Sequence, residues 1–129
     1  MIQVGTLLNV LDNCGARTAL CLKVFPGYKR RYANIGDILL VSIKTLRSKR
    51  RDSLKVKKGE LYRALVLKVG VPVKNFSGDT FYYVGKSSVI LLNKQNKLLG
   101  TRILSSISKV FRFTKYLKIL SLSLGVHNI

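Results

Sequence analysis

The chain has 129 residues, 47% of them hydrophobic, and sets 24 Lys and Arg against five Asp and Glu, a formal charge of +19. That length suits one domain, spanning residues 1–129, with a modest core, and so large an apolar share excludes a disordered basic tail. No apolar run approaches the roughly 18–20 residues of a membrane helix, and such a positive excess repels itself unless a polyanion neutralises it. Nucleic acid is the expected partner, with an anionic membrane surface as the competing reading.

Short apolar runs alternate with turn signals about every dozen residues, the pattern of a small all-β barrel or sandwich. Thr6 to Leu11 reads as a first strand, closed by Asp12-Asn13-Cys14-Gly15, where Gly15 can take positive φ. Thr18 to Phe25 is a second, with Leu20, Leu22 and Val24 set against Ala19, Cys21 and Lys23, so that one face is buried and the other partly wet. Asp37 to Leu46 is a third, with Leu39, Val41 and Ile43 on one face. Glu60 to Val69 is a fourth, and Arg47 to Lys58 before it is a loop. Thr80–Val84 and Ser88–Asn93 read as a hairpin joined at Gly85-Lys86-Ser87. After Gly100 the spacing of Ile107, Val110, Phe111 and Leu117 suits a short helix laid on the barrel, and Ile119 to Leu124 forms a last apolar segment that alternates or caps.

Charge is concentrated in two places. Lys44, Arg47, Lys49, Arg50, Arg51, Lys55, Lys57 and Lys58 fall within one fifteen-residue segment with a single acid, Asp52. Such a loop is expected not to pack inward and to become fixed on phosphates. Lys29, Arg30 and Arg31 form the second cluster, between Tyr28 and Tyr32. Arginine grips phosphate oxygens in two places, lysine offers a point charge, and tyrosine can stack on an exposed base or ribose or lie along the barrel wall. Eight neutralised phosphates would give a log–log salt slope of roughly −6 to −7. No base-reading helix is evident, so recognition of structured RNA through its backbone is expected.

Other chemistry is excluded on residue type. The one histidine, His127, stands near the chain end and is expected to be incidental. Asp12, Asp37 and Asp79 neighbour turn residues and are better used in hydrogen bonds to turn backbone than in acid–base catalysis. Cys14 and Cys21, with six residues between them, fit neither a zinc knuckle nor a redox pair and are expected to pack as reduced thiols. No enzyme, cofactor, metal or small-molecule substrate is expected. The start of the chain has neither a secretory profile nor the look of an import presequence.

Several motifs in fixed order sharpen this reading. Met1-Ile2-Gln3, Leu8-Asn9-Val10, Asp12-Asn13, Gly15-Ala16-Arg17, Arg30-Arg31-Tyr32-Ala33, Gly36-Asp37, Val56-Lys57-Lys58-Gly59, Val89 to Asn93 and Gly100-Thr101-Arg102-Ile103 make the chain closely resemble, almost end to end, the family of the universal fourteenth protein of the large ribosomal subunit. The resemblance implies a mainly β fold, a small five-stranded closed β-barrel with short C-terminal helices. It implies binding to large-subunit rRNA, contact with small-subunit rRNA through an intersubunit bridge, contact with neighbouring ribosomal proteins, and a surface for a ribosome silencing factor. By correspondence, Arg17, Arg30, Arg31, Lys44, Lys57, Lys58 and Arg102 are the first rRNA-binding candidates, joined by Lys29, Tyr32, Arg47, Lys49, Arg50, Arg51 and Lys55 from the two clusters. The chain departs from the family pattern at Lys86, at Ser105-Ser106, in the longer loop containing Arg47 to Ser53, and after Leu122. A bias toward Lys, Leu, Tyr, Ile and Asn points first to a mitochondrial ribosome, ahead of a plastid or a bacterial cytoplasm. A free-standing small-barrel RNA-binding protein is the runner-up.

Overall fold

A computed structural model describes residues 1–25, 27–47, 55–74 and 77–127. Strands β1 (Leu7–Val10), β2 (Ala16–Phe25), β3 (Ile38–Leu46), β4 (Leu61–Lys68) and β7 (Ser88–Leu92) close a barrel in the order β1-β2-β3-β4-β7. All neighbours are antiparallel except at the seam, where β1 and β7 run parallel through Asn9↔Ser88 and Val10↔Val89. Closure leaves the ring without free edges. The fold is mainly β, as the resemblance implied.

Period-two alternation fills the interior. Leu39, Val41 and Ile43 of β3 are fully buried, as their spacing predicted, and meet Leu8, Ala19, Cys21, Ala64, Val66 and Leu91 from the other strands. In β2 the expected faces are only half right, because register shifts on both sides of Ala19–Cys21 change the phase. Ala19, Cys21 and Val24 point inward, while Leu22 is 38% exposed. A bulge adds one residue to one strand and so reverses which side chains face the core.

Two other expectations are corrected. Thr80–Val84 and Ser88–Asn93 do not form a hairpin: β6 (Thr80–Phe81) pairs with β5 (Val73–Lys74) in a separate ribbon. β7 has no edge to spare, since it lies between β4 and β1 and all its residues are buried. After Gly100 the chain is first a strand, β8 (Ile103–Ser108), and not a helix. Of the residues whose spacing suggested the helix, Ile107 lies in this strand, and Val110 and Phe111 lie in the element that follows it. A 3-10 helix begins only at Lys109–Phe113, with the Ser108 hydroxyl accepting from Val110 N at 3.3 Å. Then come α1 (Lys118–Leu122) and β9 (Ser123–His127), the latter parallel to β8.

These C-terminal elements build a second core outside the barrel. Ile103, Ile107, Phe111 and Ile119 cover Leu65, Leu67, Ile90 and Leu92, which point out from β4 and β7. Burying each such side chain contributes about 1.5–3 kcal/mol, which explains why β7 and the second half of β4 read as near-continuous apolar runs: both of their faces are covered there. Leu117, expected in this packing, is 56% exposed, and Ile119 takes its place. His127 is not in a frayed end, since it lies in β9 with Nε2 2.6 Å from the Ser106 hydroxyl. Both cysteines are free and buried, and burial beside Asp12 pushes the Cys14 thiol up to about 12.

Candidate nucleic-acid interface

Strand direction sorts the basic candidates into two groups at opposite ends of the barrel. β1, β3 and β7 run one way, β2 and β4 the other. One end therefore holds the loop after β2, with Tyr28 to Tyr32. The opposite end holds the turn after β1, the start of β2 with Arg17, the end of β3 with Lys44 and Arg47, the return to β4 with Lys55, Lys57 and Lys58, and the segment before β8 with Arg102. At about 3.3 Å per residue, a nine-residue strand such as β3 separates the two by roughly 25 Å. They are two surfaces, not one. Lys49, Arg50 and Arg51 lie outside the described residues.

The second end is knitted from distant segments. Arg47 N donates to Gly15 O at 2.8 Å and Lys55 N to Cys14 O at 3.1 Å. Gly15 sits at φ 103, as the turn required. Asn13 Oδ1 accepts from Thr101 N at 2.8 Å and its Nδ2 donates to Thr101 Oγ1 at 2.8 Å. Asp12 is buried and accepts from Leu91 N at 3.0 Å and Cys14 N at 3.3 Å. Gly100 has no room for a side chain here, because a Cβ would stand 2.8 Å from the Asp12 Cβ. The expectation that the segment before β4 cannot pack inward is corrected by Val56, which is 2% exposed in the barrel core. An apolar residue between lysines anchors the return, so that its flanking cations face out.

On that frame the candidates divide by use. Arg17, Lys44, Lys57, Lys58 and Arg102 are exposed. Arg47 is half-buried and donates to Val10 O at 3.2 Å, so it serves the frame. Lys55 is exposed but its Nζ donates to Leu99 O at 3.2 Å. Glu60 accepts from Lys57 N at 3.2 Å and from the Tyr62 hydroxyl at 2.5 Å. The Tyr62 bond draws the Glu60 carboxyl below its usual range, while burial first and Glu60 second push the Tyr62 phenol up to about 12.

The first end is braced by one carboxylate. Arg30 donates to Asp37 Oδ2 at 2.6 Å, the one ion pair among the described residues, and through Nε to Tyr32 O at 3.3 Å. The same oxygen accepts from Asn34 N at 2.7 Å. Ala33 pairs with Ile2 in both directions, tying the loop to the N-terminal segment. Arg30 is therefore a brace, and the groups it leaves facing solvent are Tyr28 (91% exposed), Lys29, Arg31 and Tyr32 (45% exposed). Lys29 Nζ stands 5.3 Å from the centre of the Tyr28 ring. As expected, Asp12 and Asp37 each accept from turn backbone, at Cys14 N and Asn34 N, but Asp12 also holds Leu91 N of β7 and Asp37 also holds Arg30, while Asp79 meets the Ser77 hydroxyl at 3.4 Å.

Three cations missed by sequence reasoning join the knitted end. A groove of about 650 Å³ is lined by Lys55, Lys97, Lys115 and Lys118 over Leu99 and Ile119. Their separation along the chain leaves no local charge run to notice. Among the described residues no group of His, Cys, Asp and Glu could hold a metal ion, and no helix is long and apolar enough to cross a membrane. Residues 1–127 match the family model described as ribosomal protein L14p/L23e, so the chain belongs to that family and is a ribosomal protein of the large subunit.

Proposed function

We propose that the chain is a structural constituent of the large subunit that grips large-subunit rRNA by its backbone. The knitted end is the principal surface, and the Tyr28 to Tyr32 loop a second one. The observation that carries this reading is the exposed set Arg17, Lys44, Lys57, Lys58 and Arg102 gathered at one hydrogen-bonded end, in a chain whose described residues form a single internal ion pair. Five such cations on phosphates give a log–log salt slope of roughly −4, and their fixed spacing lowers the ordering cost of binding. Nothing in this set reads base edges, so affinity follows RNA shape and charge more than sequence.

The family supports a finer placement as part of the same proposal. The chain lies at the subunit interface, touches small-subunit rRNA in an intersubunit bridge, adjoins other large-subunit proteins and offers a surface to a silencing factor. The bias toward Lys, Leu, Tyr, Ile and Asn favours a mitochondrial ribosome as part of this reading. The test is sedimentation of tagged chain from fractionated organelles in magnesium. Co-migration with large subunits, released only by high salt, supports the reading; chain remaining at the top of the gradient favours a free-standing RNA-binding barrel.

A further inference from the structure

Two register shifts of opposite sense mark the β2–β3 pair at the knitted end. Ala16 pairs with Leu46 and Thr18 with Thr45, which makes Arg17 the extra residue on β2. Ala19 then pairs with Ile43, which makes Lys44 the extra residue on β3. Each bulge turns a cation out of the ladder, and both cations are exposed. Between them the two threonines stand directly opposite each other, with Thr18 Oγ1 and Thr45 Oγ1 2.5 Å apart. On the other side of β2, Asn9 of β1 pairs with Thr18. It faces outward, since Leu8 and Val10 on either side of it are buried. Asn9, Thr18 and Thr45 thus form an uncharged polar row whose threonine pair is bracketed by Arg17 and Lys44.

We propose that this row reads the ribose of the bound RNA: the Thr18–Thr45 pair exchanges hydrogen bonds with a 2′-hydroxyl while Arg17 and Lys44 hold phosphates on either side of it. The proposal rests on the large-subunit reading and gives its principal surface a means of preferring RNA to DNA. Cations alone do not supply that preference, because Arg17 and Lys44 neutralise the phosphates of either polymer. Two hydroxyls bonded to each other keep one proton to donate and lone pairs to accept. A phosphate oxygen uses only the proton and sets its own negative charge against the lone pairs. A 2′-hydroxyl both donates and accepts, so it satisfies both halves of the pair, and it is the group by which a protein separates RNA from DNA. No ring stands in the row, so a base gains no stacking surface there. Bulges that re-aim side chains at one place in a sheet are devices of a site, and here two of them frame the same pair.

The experiment uses full-length chain and the rRNA fragment that it protects from nuclease in large subunits. The fragment is made once as ordinary RNA and once with 2′-fluoro riboses, which keep the helix form and the phosphates but lose the hydroxyl proton. The parent chain should bind the ordinary fragment about tenfold tighter, as two ordinary hydrogen bonds give. Thr18→Val/Thr45→Val, which keeps the side-chain shape, should bring that ratio near one with the log–log salt slope unchanged, and Thr18→Ser/Thr45→Ser should restore it. Arg17→Met/Lys44→Met should do the reverse, lowering the slope by roughly 1.5–2 for both fragments while keeping the ratio. Equal affinity of the parent chain for the two fragments overturns the proposal, as does a ratio that survives the valines or a slope that falls with them. If the valine pair unfolds the chain, Thr45→Val alone, at an exposed position, should still lower the ratio about threefold; an unchanged ratio overturns the proposal. Failure to protect any large-subunit rRNA sinks the large-subunit reading as well, whereas protection without a preference for the 2′-hydroxyl sinks this inference alone.

Discussion

The two ends of the barrel solve one problem in different ways. Each must hold cations outward on irregular backbone. The end with Arg17 and Lys58 does so by joining the turn after β1, the return to β4 and the segment before β8 through Asn13, Asp12 and Val56. The end with Arg31 does so largely within one loop, through Asp37. The difference teaches that basic residues near each other in sequence are not equivalent. Arg30 and Arg47 hold the frame while Arg31 and Lys44 remain free to meet an anion.

The strongest way to break the comparison is Asp12→Ala. It leaves Leu91 N buried without a partner and loosens the knitted end, so unfolding in urea should show a loss of about 2–4 kcal/mol. Asp37→Asn at the other end keeps its acceptor but loses the charge, and should cost about 1 kcal/mol or less because Arg30 is partly exposed. Equal losses would erase the distinction drawn here.

Binding sharpens it next. Lys57→Ala with Lys58→Ala should lower the log–log salt slope for an rRNA fragment by roughly 1.5–2, with the thermal midpoint nearly unchanged. Arg31→Met should lower the slope by roughly 0.7–0.9. Arg30→Met should weaken binding with little change in slope, since its guanidinium is already paired; a slope change matching that of Arg31→Met would return Arg30 to the phosphate-binding set.

The smallest expected effect lies in alkali. The Tyr62 phenol is raised in the fold, so the folded state holds its proton longer than the unfolded chain does. The resulting stability is complete below the ordinary tyrosine value near 10 and is lost as pH rises through about 12. Tyr62→Phe should remove one late tyrosinate absorbance step and flatten the decline in stability over that window.

Much of the barrel was legible because alternation is a direct image of a two-sided strand. Leu39, Val41 and Ile43 announce their inward face without help from the rest of the chain. Where that image failed, a tertiary cause intervened. The register shift after Cys21 inverts a phase that sequence spacing assumes constant. Ser88 to Leu92 were visible as a strand, but not as the strand that closes on β1, since parallel pairing at long range leaves no turn signature. Ile107 misled because its spacing of four to Phe111 runs across the junction of a strand and a 3-10 helix. The charge runs were equally plain, while the division of arginines into braces and free groups depends on which carbonyl or carboxylate the fold brings within reach. Lys97, Lys115 and Lys118 become a group only once α1 folds back beside the segment before β8.

The parallel seam also bears on how the molecule is made. Because Val10 meets Val89, the ring cannot shut until Leu92 has left the ribosome that synthesises it, and until then the outer edges of β1 and β4 lack their strand partner. Contacts so distant along the chain slow folding. The basic loop from Tyr28 to Tyr32 therefore emerges before the barrel that carries it is finished.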